Sequence, residues 1–222
     1  TLGSILMRAK NVPNTFDTQP VAPGEAILDL DSEFISAMQS HSPSFATDQY
    51  HLIGVVPFSN SLSVPRTWDI AQQLNATWLN EGEAKQRRVL KTSLTARTIS
   101  RVGEIFTRGT LVVTPGDRDD LLLATAMASM NDIPMAGIVL TGGIIPNDTV
   151  FELCQPALKT GLPIMSVHTD SLETVTNLST ISNEIPKDDA ERAETVARFV
   201  AAHIDLDWLK SYFERDYTPR LS

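Results

Sequence analysis

Two short apolar runs in this chain stop abruptly at glycine: TLVVTPGDRDD, Thr110 to Asp120, and AGIVLTGG, Ala136 to Gly143. In the first, Gly116 permits a sharp turn and Asp117–Asp120 opens a helix. A helix start presents unpaired N–H groups and a partial positive charge, which favour an anion. Arg118 adds a bidentate partner for a carboxylate or phosphate. The same stretch also carries internal rivals, because Asp117, Asp119 and Asp120 can cap the helix and pair with Arg118. In the second run, Thr141-Gly142-Gly143 leaves bare backbone that a ligand or a second chain can approach closely. His168 closes a third apolar run, Pro163–Val167. Ligands of open parallel sheets bind beyond the carboxyl ends of the strands. The candidate ligand-binding set is therefore Thr114, Gly116, Asp117, Arg118, Thr141, Gly142, Gly143 and His168.

These residue types do not make a catalytic set. No nucleophile sits beside a base in sequence, so no catalytic residue is assigned. The four histidines, His41, His51, His168 and His203, have no zinc spacing with the single cysteine, Cys154. No metal site is expected. His203, at a helix end, reads as a partner of the helix dipole. The phosphate-binding pattern GxxxxGK[ST] is absent, which removes the usual cradle for a nucleoside triphosphate.

The elements that must position these turns alternate. Strands are predicted at Ser93–Arg97, Thr110–Thr114, Gly137–Thr141 and Pro163–Val167. Helices are predicted at Val102–Arg108, Asp119–Met130, Asp148–Lys159, Ser171–Ile181, Asp188–His203 and Asp205–Glu214. The helix DDLLLATAMASM is apolar on most faces, so burial is expected. Alternating strands and helices imply βαβ units, an α/β fold with a mostly parallel sheet and helices on both faces. Upstream, strands are predicted at Leu2–Met7 and His51–Pro57, with helices at Asp31–Gln39 and Thr67–Leu74. The stretch Asn11–Glu25 and the segment NEGEAK read as loops. KQRR, Lys85–Arg88, reads as a solvated connection.

The bulk properties exclude several classes. The 222 residues carry a net charge of −9, which repels nucleic acid and anionic lipid. No apolar run reaches the roughly 20 residues needed to span a bilayer. One cysteine cannot form a disulfide within the chain, which fits a cytoplasmic location. The chain lacks an initiator Met, so a fragment of a longer protein is expected.

The pair GDR at Gly116–Arg118 and LTGG at Leu140–Gly143 resembles the signature of the DRTGG domain. LKTSLTART, ELCQPALKTGLPI and IPKDDAERAETVARFVAAHIDLDWL extend the likeness. Together they resemble the N-terminal, non-catalytic region of long bacterial phosphate acetyltransferases. GVVPFSNSLSVPRTWDIAQQLNATWLNEGEAKQRRV resembles the end of the dethiobiotin-synthetase-like, P-loop-type domain that precedes the DRTGG domain there. The resemblance implies three segments: 1–88, the C-terminal part of that truncated domain; 89–213, the DRTGG domain; and 214–222, a tail or linker to a catalytic domain. Arg8-Ala9 stands where relatives have an Asn-Lys near the purine, a departure that argues against nucleotide binding. The resemblance further implies self-association, contact with a C-terminal acetyltransferase domain of the same chain, and no bound cofactor. Its candidate effectors are NADH, pyruvate, phosphoenolpyruvate and ATP. A purely structural interaction domain and an ATP-dependent ligase related to dethiobiotin synthetase are the alternatives.

Overall fold

The computed structural model describes residues 3–9, 40, 51–57, 59, 61–95, 103–181 and 184–216. The predicted loop Asn11–Glu25 and helix Asp31–Gln39 fall outside them, as do residues 217–222 of the expected tail. The chain divides into two compact units: Ser63–Glu184, and Thr1–Leu62 with Ile185–Ser222. The division expected at residues 88/89 falls inside the first of these, and residues 185–213 belong to the second. Among the described residues, no helix is long and apolar enough to cross a membrane.

In chain order the strands are β1 (Gly3–Ala9), β2 (His51–Pro57), β3 (Thr77–Asn80), β4 (Lys91–Leu94), β5 (Thr110–Pro115), β6 (Gly137–Thr141) and β7 (Ile164–Ser166). The helices are α1 (Thr67–Gln73), α2 (Asp119–Met130), α3 (Asp148–Leu153), α4 (Gln155–Leu158), α5 (Ser171–Ser179), α6 (Ala190–Ala202) and α7 (Leu206–Asp216).

In the unit Ser63–Glu184, five strands form one sheet in the order β3-β7-β6-β5-β4. β4 through β7 run parallel, and β3 joins the edge antiparallel to β7. Side chains alternate along a strand, and this splits the core in two. Val112, Ile138, Leu140 and Ile164 pack on one face with Leu122 and Ala126 of α2 and Ala157 of α4. Leu111, Val113, Val139 and Met165 pack on the other with Ile70 and Ala71 of α1 and Val175 and Leu178 of α5. Helices therefore cover both faces. Near-continuous apolar runs such as LVV and GIVL are what a doubly covered parallel sheet requires.

Several elements differ from the sequence reading. β3 lies where no strand is predicted: it has four residues, follows a turn at Asn75 with φ +49°, and leads into NEGEAK. The helix expected over Asp148–Lys159 is broken at Cys154. Pro156 lacks an N–H and its ring cannot sit against the carbonyl four residues back, so α4 restarts with proline in its first turn. Gly161, at φ +79°, then turns the chain toward β7. α2 buries Leu121, Leu122 and Ala126, yet Met127 and Met130 are exposed, because only one side of it meets the sheet. β4 begins at Lys91, two residues before the predicted start, and residues 96–97 of the predicted strand lie outside the described residues.

The connection KQRR is not solvated throughout. Arg87 donates to the carbonyls of Met135 and Thr160, both at 2.6 Å, and its Nε lies 3.2 Å from the Glu83 carboxylate. Thr67 Oγ1 donates to the Ala136 carbonyl at 2.8 Å. These bonds fix α1 and the β3–β4 connection to the amino edge of the sheet.

In the other unit, β1 and β2 pair in parallel. Gly54 of β2 meets the His203 carbonyl so closely that a Cβ there would lie 2.2 Å from it. Asp205 donates its N–H to the Ile53 carbonyl at 2.7 Å and caps α7 through Trp208 N–H at 2.8 Å. His203 is buried at the end of α6, its Nδ1 2.7 Å from the Phe199 carbonyl. A carbonyl only accepts, so Nδ1 carries the proton. Asp189 caps the start of α6, and Arg192 Nε donates to the Leu62 carbonyl at 2.8 Å.

Candidate functional site

The parallel register brings the three predicted turns to one edge. Thr114 of β5 stands opposite Leu140 of β6, Pro115 opposite Thr141, and Leu140 opposite Ser166 of β7. Beyond those pairs lie Gly116–Arg118, Thr141–Gly143 and His168.

The turns are bonded to one another. Gly116 donates its N–H to the Thr141 carbonyl at 3.1 Å. Gly142 donates to the Thr169 carbonyl and Gly143 to the Val167 carbonyl, each at 2.8 Å. The glycine backbone read as bare in sequence therefore has its N–H groups engaged within the chain. The glycines also serve close packing. A Cβ on Gly116 would lie 2.1 Å from the Ile144 carbonyl oxygen, and one on Gly143 would lie 2.8 Å from His168 Nδ1. Gly142 and Gly143 hold φ values of +82° and +67°, a region other residues enter only at a cost.

The two threonines are buried. Thr141 Oγ1 shares a hydrogen bond with Ser171 Oγ at 2.6 Å, which ties the β6 turn to the start of α5. Thr114 Oγ1 donates to the Thr95 carbonyl at 3.4 Å, across to the end of β4. Thr95 has a buried hydroxyl without a hydrogen-bond partner. Asp117 and His168 are exposed.

Arg118 occupies the N-cap position of α2, and its side chain does not cap the helix. Instead it makes a bidentate pair with Asp120, with Nε–Oδ1 and Nη2–Oδ2 both 2.8 Å. This pairing holds the Asp120 carboxyl below the usual carboxylate range, with backbone N–H groups of Leu121 and Asp120 adding to it and partial desolvation opposing it. The guanidinium is raised by the same bond. Of the three aspartates that compete for Arg118, Asp120 takes it.

Two residues that complete this edge escaped sequence reading. Ile144 supplies the backbone against which Gly116 closes, and Ser171 supplies the partner of Thr141. Ser171 had a usable signal: DSLET reads as a capped helix start, and Asp170 accepts from Glu173 N–H at 2.8 Å. Ile144 had none, because nothing in an apolar residue after a glycine pair announces a backbone contact 28 residues from its partner (144 − 116).

Chemically, the edge offers one guanidinium already paired, one exposed imidazole, two buried hydroxyls and an acidic helix start. Among its described residues it has no nucleophile–base pair. Among the described residues, no group of three or more His, Cys, Asp or Glu side chains is placed to hold a metal ion. Cys154 is buried in the apolar face under α2, and burial pushes its thiol up; it is a core residue.

Comparison with known proteins gives the family to which this sheet belongs. The family model described as the DRTGG domain matches residues 69–181. The phosphate acetyltransferase of Acinetobacter baylyi is 42% identical over 225 residues, covering 100% of this chain and 31% of that protein. The phosphate acetyltransferase of Pseudomonas aeruginosa is 46% identical over 189 residues, covering 85% of this chain and 26% of its own length. The chain thus spans less than a third of the curated relatives it matches. Among solved structures, the CBS and DRTGG domains of the regulatory region of Clostridium perfringens pyrophosphatase, complexed with the activator diadenosine tetraphosphate, align with a TM-score of 0.45 and 17% identity, covering 77% of each chain. The DRTGG match takes in all five strands of the large sheet and every residue of the candidate site, so the chain belongs to the DRTGG domain family and corresponds to one region of the long phosphate acetyltransferases.

Proposed function

We propose that this chain is a non-catalytic regulatory and assembly region of a phosphate acetyltransferase, the enzyme class that interconverts acetyl-CoA and phosphate with acetyl phosphate and CoA. The observation that carries this reading is the sheet edge itself. The turns that carry the DRTGG resemblance meet there, pinned to one another, with Arg118 and His168 at the surface. The similarity to phosphate acetyltransferases over about a third or less of their length supports it.

The ligand class is a small anionic metabolite, with NADH, pyruvate, phosphoenolpyruvate and ATP as candidates. Since the glycine N–H groups are engaged, the contacts fall to Arg118 and His168. An anion that binds the guanidinium competes with Asp120 and so alters how α2 begins. A ligand that favours one arrangement of that turn shifts the population of the whole region.

The test is calorimetric unfolding of this chain with NADH, ATP, pyruvate, phosphoenolpyruvate, acetyl-CoA or phosphate. A ligand at 100 times its dissociation constant stabilises the folded state by about 2.7 kcal/mol. The expected result is a dose-dependent rise in Tm with one of these ligands, abolished by Arg118→Ala. If no ligand moves Tm, the sensing role is wrong. A second reading, assembly alone, is favoured by the engaged glycine amides and by Ile144 and Ile145, both exposed beside them. It predicts thermal silence together with self-association that Ile145→Asp weakens in sedimentation equilibrium.

A further inference from the structure

We draw no further inference here: the strongest candidate, the buried and unpartnered Thr95 hydroxyl at the carboxyl edge of the sheet, directly precedes residues 96–102, which lie outside the described set, and nothing in the structure shows what would reach it.

Discussion

Gly116 and Gly143 are glycines for different physical reasons, and substitution separates them. At Gly143 a Cβ meets the end of an exposed imidazole, which can swing away, so the cost of alanine is mainly the φ of +67°. That cost is about 1–3 kcal/mol. At Gly116 the obstacle is the Ile144 backbone, which cannot move without breaking the turn. Gly116→Ala should therefore fall at or beyond the upper end of the about 1–3 kcal/mol typical of overpacking. Urea titration of both variants checks the order; Gly143→Ala proving the more damaging would contradict it. The Arg118–Asp120 pair makes a pH prediction. The Asp120 carboxyl is depressed in the folded state, so its contribution is present above the ordinary carboxylate pKa of about 4 and disappears as pH falls through its lower folded value. The pair is partly exposed, so at neutral pH it contributes only about 0–1 kcal/mol. Asp120→Asn should leave neutral stability nearly unchanged and flatten the loss of stability below pH about 4. That comparison needs only melting curves at several pH values. At this scale the sequence announced the glycines, Arg118 and its acidic rivals by type. It left open which aspartate would win, since Asp117, Asp119 and Asp120 are equivalent until the backbone of α2 is set.

Strong patterns fixed the elements that carry the site. β5, β6 and β7 are apolar runs bounded by glycine or proline, and each is found within two residues of its predicted limits. α2 and α5 likewise start where acidic and hydroxyl residues mark a helix entrance. Short or edge elements were less legible. β3 is four residues long and gains its strand character from pairing with β7, a partner remote in sequence. The role of Arg87 was hidden for a related reason. A basic cluster in a polar connection looks solvated until the carbonyls of Met135 and Thr160 arrive from elsewhere in the fold. Those carbonyls would be left without a partner in Arg87→Ala. Hydrogen bonds to a charged donor contribute about 1.5–3 kcal/mol each and overlap in part, so a loss of about 2–4 kcal/mol is expected from denaturant titration. Arg87→Lys, which cannot span two carbonyls with a rigid fork, should recover only part of it.

At the scale of the whole molecule, the unit Ser63–Glu184 contains both faces of its sheet and both apolar cores. A fragment of residues 63–184 should therefore unfold cooperatively by itself. A fragment of residues 89–213, cut at the limits implied by family resemblance, lacks α1, β3 and Arg87. It should melt at a lower temperature or without a sharp transition, in parallel circular-dichroism melts of the two. Equal cooperativity would show that β3 and α1 decorate the sheet rather than complete it. Sequence likeness located the DRTGG turns well. Residues 63–88 are linked to the sheet by hydrogen bonds, such as Asn80 Nδ2 to the Leu162 carbonyl, that no local pattern reveals.

The antiparallel edge strand has a consequence for how this protein comes into being. Thr77 leaves the ribosome long before Ser166, its partner in the finished sheet. At synthesis rates of about 5–20 residues per second, β3 waits roughly 5–20 s for β7 to emerge. During that interval Trp78 and Leu79, half-buried in the completed fold, have no sheet to rest on. β3 cannot pair before β7 is made, and the brevity of the strand limits the sticky surface that a growing chain displays to its neighbours.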